Sequence, residues 1–194
     1  MPELDDGWVA SLRAAHLAAA GRLAERARAL PPGADGFMHP CRLLDGVSRF
    51  LAPDAAVVAV IGDGSFGFTA MEVDTAVRHG LAPVYVIANN RGWNIEKTDQ
   101  LQRFAGRAVG VDLPGCRYDQ LAVALGAAGR RVTDPGELPA ALAWARDHAP
   151  AVLDVMVTQD AQSPDSASGI AIVPPDQALT KWQLAEEQRT LVAG

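Results

Sequence analysis

The chain has 194 residues, 49% of them apolar and 21% charged, with 17 Lys and Arg against 23 Asp and Glu and a net charge of -6. That balance is ordinary for a globular domain and excludes a disordered, collagenous or coiled-coil chain; the acidic sign argues against a nucleic-acid partner. Only two cysteines, Cys41 and Cys116, are present, too few for a disulfide scaffold. No apolar run approaches the ~18 residues of a membrane span, and the acidic start MPELDDGW lacks the positive charge of a signal peptide. The expectation is a cytoplasmic chain with no membrane partner.

Residues 7–30 predict a helix, with Trp8, Leu12, Ala15, Leu23 and Ala27 at helical spacing and Pro31-Pro32-Gly33 as its stop. Its apolar stripe is thin, and Arg22, Arg26 and Arg28 around Glu25 read as a solvated face. A second helix runs from Pro40 to Leu51. Ala55 to Ile61 is a continuous apolar run rich in valine, as in a strand buried on both faces. Residues 68–79 predict a helix closed by Arg78, His79 and Gly80. Pro83 to Ala88 predicts a second buried strand, Tyr118 to Ala128 a helix, and Arg130 to Val132 a short strand. Asp134, as N-cap before Pro135, starts a helix reaching about His148. Ala151 to Val157 is a third strong strand, residues 158–174 a polar loop, and Leu179 to Leu191 a terminal helix. Strands alternating with helices predict an α/β domain: a parallel sheet with helices on both faces. The chain divides into an N-terminal helix and linker, 1–35, and a single domain, 36–194.

The informative segment is Gly62-Asp63-Gly64-Ser65-Phe66-Gly67, which follows a predicted strand and opens a helix. Formally it is G-x-G-x-x-G, a loop whose backbone N–H groups and helix start suit a diphosphate. A plain dinucleotide reading meets two objections. Asp63 would repel the anion, and the next strand ends in Asn89-Asn90 where an acidic ribose ligand belongs. A divalent cation answers both. Mg²⁺ takes oxygen ligands and is commonly held by a few protein groups plus substrate phosphates. Asp63 and Asn90, at the ends of two parallel strands, would meet over one ion, with a backbone carbonyl after Asn90 as a third ligand.

GDGSFGFTAMEVDTAVRHGLAPVYVIANN resembles the signature of thiamine-diphosphate enzymes, which begins GDG and ends NN. The surrounding text is most similar to the acetolactate-synthase and 2-oxoacid-decarboxylase branch, through NRGWNIEK and on to SPDSASGIAIVPPDQALTKW. The resemblance implies thiamine diphosphate and Mg²⁺ as cofactors and a 2-oxo acid as substrate. It implies Asp63, Asn90 and the Gly92 carbonyl as metal ligands. Gly64 and Ser65, with Gly62 before them, would hold the diphosphate, while Asn89 orients the loop and Glu72 supports the helix.

Only the diphosphate domain is resembled. In the family the glutamate that acts on the aminopyrimidine ring lies on a separate domain, and no residue here matches it. A pyrimidine-domain subunit or self-association is therefore the implied partner. Two alignments of the upstream text remain open. In one, MHPCRLLDGVSRFLAPDAAVV is the opening helix and strand of the domain, and a stretch before GDG is missing. In the other, Gly36-Phe37-Met38 is a remnant of the family's Gly-rich turn, and Met38 is the bulky residue that bends the cofactor; His39 then stands where relatives carry glycine. Rival readings are a non-catalytic remnant that binds or regulates a partner, and a nicotinamide-binding Rossmann module.

For the remaining residues the plainer readings hold. His16, His39, His79 and His148 read as surface or helix-terminus residues, and Cys41 as core. Trp93 reads as a core cover or as a wall of the substrate entrance. Asp160, Asp165 and Asp176 read as loop residues or caps.

Overall fold

Three valine-containing, mostly apolar runs form β1 (Val58–Gly62), β2 (Val84–Asn89) and β4 (Ala151–Met156), and the more polar segment Ala128–Val132 forms β3, in the computed structural model of the protein. The structure describes residues 6–51, 57–113 and 115–161, together with residue 188. All strand pairs are parallel, in the order β1-β2-β4-β3. The two central strands are the most buried, being covered on both faces: all six residues of β4 are buried.

Alternation along the strands sorts the helices. Val84, Val86, Leu153 and Val155 point to one face and pack with Leu43 and Val47 of α2 (Pro40–Phe50). Leu138, Ala141, Leu142 and Ala145, of the later helix that follows β3 (Leu138–Asp147), complete that core. Ile87 and Val152 point to the other face. They meet Phe66 of α3 (Asp63–Thr69) and Val73 of α4 (Glu72–Arg78). A helix over Tyr118–Ala124 adds Tyr118 and Ala122 to the same core. Fully burying a side chain such as Leu153 contributes roughly 1.5–3 kcal/mol. The remaining helices are α1 (Asp6–Ala29) and α5 (Asn94–Arg103), so Tyr118–Ala124 is α6 and Leu138–Asp147 is α7.

The expected α/β architecture holds, with local differences. The predicted helix over 68–79 is two helices. One begins at Asp63 itself, so the glycine loop is helical despite its low intrinsic propensity. α6 stops at Ala124 because Gly126 adopts φ 87 just beyond its end, and β3 starts at Ala128. α5 was not expected: it buries no residue, so no apolar stripe marks it. Asp134 does cap its helix, accepting from Gly136 N–H at 2.8 Å, although the first turn is 3₁₀. His39 caps α2, its Nδ1 accepting from Cys41 N–H at 3.1 Å. Cys41 itself is exposed, not core, because it sits in the first turn on the outer side of α2. His79 closes α4, and His148 stacks on Trp144 with ring centroids 4.9 Å apart. Most of α1 is exposed; near its end Ala27 is buried and Arg28 lies 3.8 Å from Asp45 of α2. The expected helix over 179–191 and the acids Asp165 and Asp176 lie outside the described residues, apart from Gln188, which is helical.

Candidate functional site

The site is built where β1 and β2 end. In a parallel sheet the chain leaves every strand at the same edge, so the residues just beyond the carboxyl ends gather there. β1 runs directly into α3, placing Asp63 at the first helical position with 2% exposure. β2 ends at Asn89, and the chain turns through Arg91, whose φ of 62 lies in the left-handed region.

This turn aims the N–H of Gly92 at two oxygens. It donates to Asp63 Oδ2 at 3.1 Å and to Asn90 Oδ1 at 3.1 Å. The residues predicted from the sequence, Asp63, Asn90 and Gly92, are therefore brought together by the fold. The backbone N–H groups at the start of α3 and at the turn after β2 also favour the charged form of Asp63. Burial nevertheless pushes its pKa above the ordinary carboxylate value, outweighing those bonds. Among the described residues no Lys or Arg forms an ion pair with Asp63. A buried acid without a cation, beside an amide oxygen, is a hard-oxygen donor set of the kind Mg²⁺ takes. The residues present thus fit the ion. Among the described residues no group of three or more His, Cys, Asp or Glu could hold a metal, so a site here draws on amide and carbonyl oxygens as well.

Gly62 and Ser65 are exposed beside this point, Gly64 is buried, and Gly64 carries a neighbour that the sequence left undecided. A Cβ on Gly64 would stand 2.9 Å from the Trp93 indole, so the ring lies against its Cα. Trp93 also packs on Phe68, with centroids 5.2 Å apart. It thus covers the helix start rather than either core cluster. Phe66 is buried in the second core, tilted edge-on to Tyr118 at 5.5 Å.

Two further residues were missed. Tyr118 donates its hydroxyl to the Asp63 carbonyl at 3.1 Å. Gln159 donates to the Arg91 carbonyl at 3.2 Å and accepts at its own carbonyl from Asn94 at 3.0 Å. Neither had a sequence signal, since both reach the site through tertiary packing. Asp160 accepts from Ala34 N–H at 2.6 Å, so it anchors the preceding linker and is not merely solvated. Glu72 opens α4 and is exposed.

The segment before α2 also reaches this edge. Asp35 pairs with Arg91 at 3.1 Å, and the Arg91 guanidinium lies 5.1 Å from the centre of the Phe37 ring. Met38 bridges to Val157 beyond the end of β4. The Met38 side chain is 1% exposed and belongs to the first core. In this structure it supports the edge from beneath and presents no surface to a ligand.

Comparison with known proteins identifies the family and the fold. The family model described as "Thiamine pyrophosphate enzyme, C-terminal TPP binding domain" matches residues 42–155. The acetolactate synthase large subunit of Mycobacterium tuberculosis is 43% identical over 111 residues, 56% of this chain and 20% of that protein. Sulfoacetaldehyde acetyltransferase of Alcaligenes xylosoxydans xylosoxydans is 32% identical over 141 residues, 70% of this chain and 23% of that protein. The chain spans about a fifth of the length of the curated relatives it matches. A crystal structure of benzoylformate decarboxylase from Polynucleobacter necessarius superposes with a TM-score of 0.52 at 24% identity, covering 63% of this chain and 24% of that one. That likeness concerns the fold alone.

Proposed function

The chain belongs to the thiamine pyrophosphate enzyme family through its C-terminal TPP-binding domain, and from that premise we propose that it anchors the diphosphate of thiamine diphosphate through Mg²⁺. The observation that carries this reading is the convergence of Asp63 Oδ2 and Asn90 Oδ1 on one backbone N–H, at a buried point with no cationic side chain among the described residues. Asp63, Asn90 and the Gly92 carbonyl would hold the metal. Gly62, Gly64 and Ser65 would hold the diphosphate, with the ion cancelling the repulsion that Asp63 alone would exert. Residues 36–194 form the binding unit and α1 is an appendage to it.

When bound, thiamine diphosphate supplies the carbanion-stabilising chemistry that breaks or forms the bond beside a carbonyl. The chain's own contribution is placement. Asp63 fixes the anionic end, Tyr118 fixes the Asp63 backbone, and Trp93 narrows access to the helix start. The substrate class is a 2-oxo acid, decarboxylated or joined to a second carbonyl, as in acetolactate synthesis. Groups acting at the ring end come from a pyrimidine-domain partner. Of the other readings, membership of this family removes the nicotinamide-binding module. Among the described residues no helix is long and apolar enough to cross a membrane.

Two measurements test the proposal. Calorimetry with thiamine diphosphate is run with excess chelator and again with Mg²⁺; equal affinity in the two overturns the metal bridge. Pyruvate consumption is then followed for the chain alone and with a pyrimidine-domain subunit. Turnover on mixing only is the expected result. Robust turnover by the chain alone would mean that a local group replaces the missing acid. No turnover in either would favour a non-catalytic binding role.

A further inference from the structure

The turn bearing Asn90 and Gly92 is suspended from a carboxylate in the middle of the sheet. Asp154 lies in β4, in register with Ile87 of β2 and Arg131 of β3, and is 0% exposed. A strand buried on both faces is normally apolar throughout. Burying a carboxylate costs several kcal/mol before any pairing is counted. Its Oδ2 lies 3.5 Å from the Arg131 guanidinium and makes no hydrogen bond among the described residues. Stabilising the sheet does not account for an acid here.

The other oxygen has a directed contact. Asp154 Oδ1 accepts from Asn89 Nδ2 at 2.8 Å, and Asn89 Oδ1 accepts from Arg91 N–H at 3.1 Å. An ionised carboxylate can only accept, whereas an amide side chain can turn either end to a neighbour. Asp154 therefore selects the orientation of Asn89: the amino group faces the carboxylate, and the carbonyl oxygen is left for the backbone of Arg91. That bond is made at a non-glycine residue with φ 62, a conformation that costs of order 1–3 kcal/mol unless its surroundings enforce it. The next N–H is the one that meets Asp63 and Asn90.

We infer that Asp154 is a positioning residue for the ligand-bearing turn 90–92, acting through the amide of Asn89. Its link to metal binding rests on the function proposed above; its effect on the turn does not. Asp154→Val removes the acceptor with a small change in volume; it leaves the buried Asn89 amino group and Arg131 without their partner, so some loss of stability is expected along with the local effect. The expected result is amide exchange of Arg91 and Gly92 at least about tenfold faster, over and above any change shared with the amides of β1. With thiamine diphosphate present, Mn²⁺ affinity should fall about 10–100-fold, the usual range for losing a group that orients a ligand. Asp154→Asn keeps an acceptor but allows the flipped amide, so it should exchange at an intermediate rate, and it serves as the test if the valine variant does not fold. The double variant Asn89→Ala/Asp154→Val should lose no more than the larger single effect. Wild-type exchange rates at 91 and 92 in the folded variant, or additive effects in the double variant, would overturn the inference. Mn²⁺ failing to bind the wild-type chain would count against the metal site, and the exchange rates would still decide the role of Asp154.

Discussion

Asp63 shows most directly how one side chain joins fold and chemistry. Its buried charge is unfavourable without a cation, so Asp63→Ala should fold yet bind thiamine diphosphate with Mg²⁺ no better than wild type does in chelator. We expect a loss of at least about tenfold by calorimetry. Asp119 shows the opposite electrostatics. Its carboxylate takes a two-pronged contact from Arg117 at 2.8 and 2.7 Å, which holds its pKa below the ordinary value. The folded pKa is lowered, so the resulting stability is present above the unfolded pKa near ~4 and is lost as pH falls through the folded one. Melting curves from neutral to acid pH should show Asp119→Asn less stable than wild type by about 1 kcal/mol at pH 7, a figure limited by the half-exposed arginine. The gap should close toward the acid end; a gap independent of pH would disprove the assignment.

At the scale of elements, α6 sits hard on β3. A Cβ on Gly129 would overlap the carbonyl oxygen of Asp119, a backbone atom that cannot turn aside. Gly129→Ala should therefore push α6 off the sheet and cost about 3 kcal/mol or more. Urea denaturation followed by circular dichroism measures it. The same first turn carries Tyr118, so the variant should also loosen the hold on Asp63. Gly46 makes a useful contrast: a Cβ there meets only the end of the Leu138 side chain, at 2.8 Å, which can swing away. Gly46→Ala should be tolerated with a much smaller loss.

For the whole molecule, the ligand edge is also an apolar edge. Phe68, Met71 and Ile95 are 79%, 63% and 67% exposed. Exposed apolar side chains gathered into one patch usually mark an interface, and Phe68 is tied to this edge by its contact with Trp93. The isolated chain is expected to self-associate in light scattering, and Phe68→Ser to shift it toward monomer. A clean monomer at high concentration would count against that face as an interface. Phe66 has no part in this, because its ring is buried in the second core.

The strands were legible from sequence because runs such as AVLDVMV leave few alternatives when a sheet is covered on both faces. The GDG-to-NN spacing was legible because the chemistry requires an acid and an amide at the ends of adjacent parallel strands. What the sequence by itself determined was therefore the fold class, the family resemblance, and the meeting of Asp63, Asn90 and Gly92. α5 escaped because a helix with no buried face has no periodic signal. Asp154 escaped because a single polar letter in an apolar strand does not reveal its partner 65 residues away. The placement of Trp93 on Gly64, of Tyr118 on the Asp63 backbone, and of Asp154 beneath Asn89 was decided only by the tertiary structure. Those contacts join residues far apart in sequence, and only the packing of α3, α6 and β4 on one sheet sets their distances.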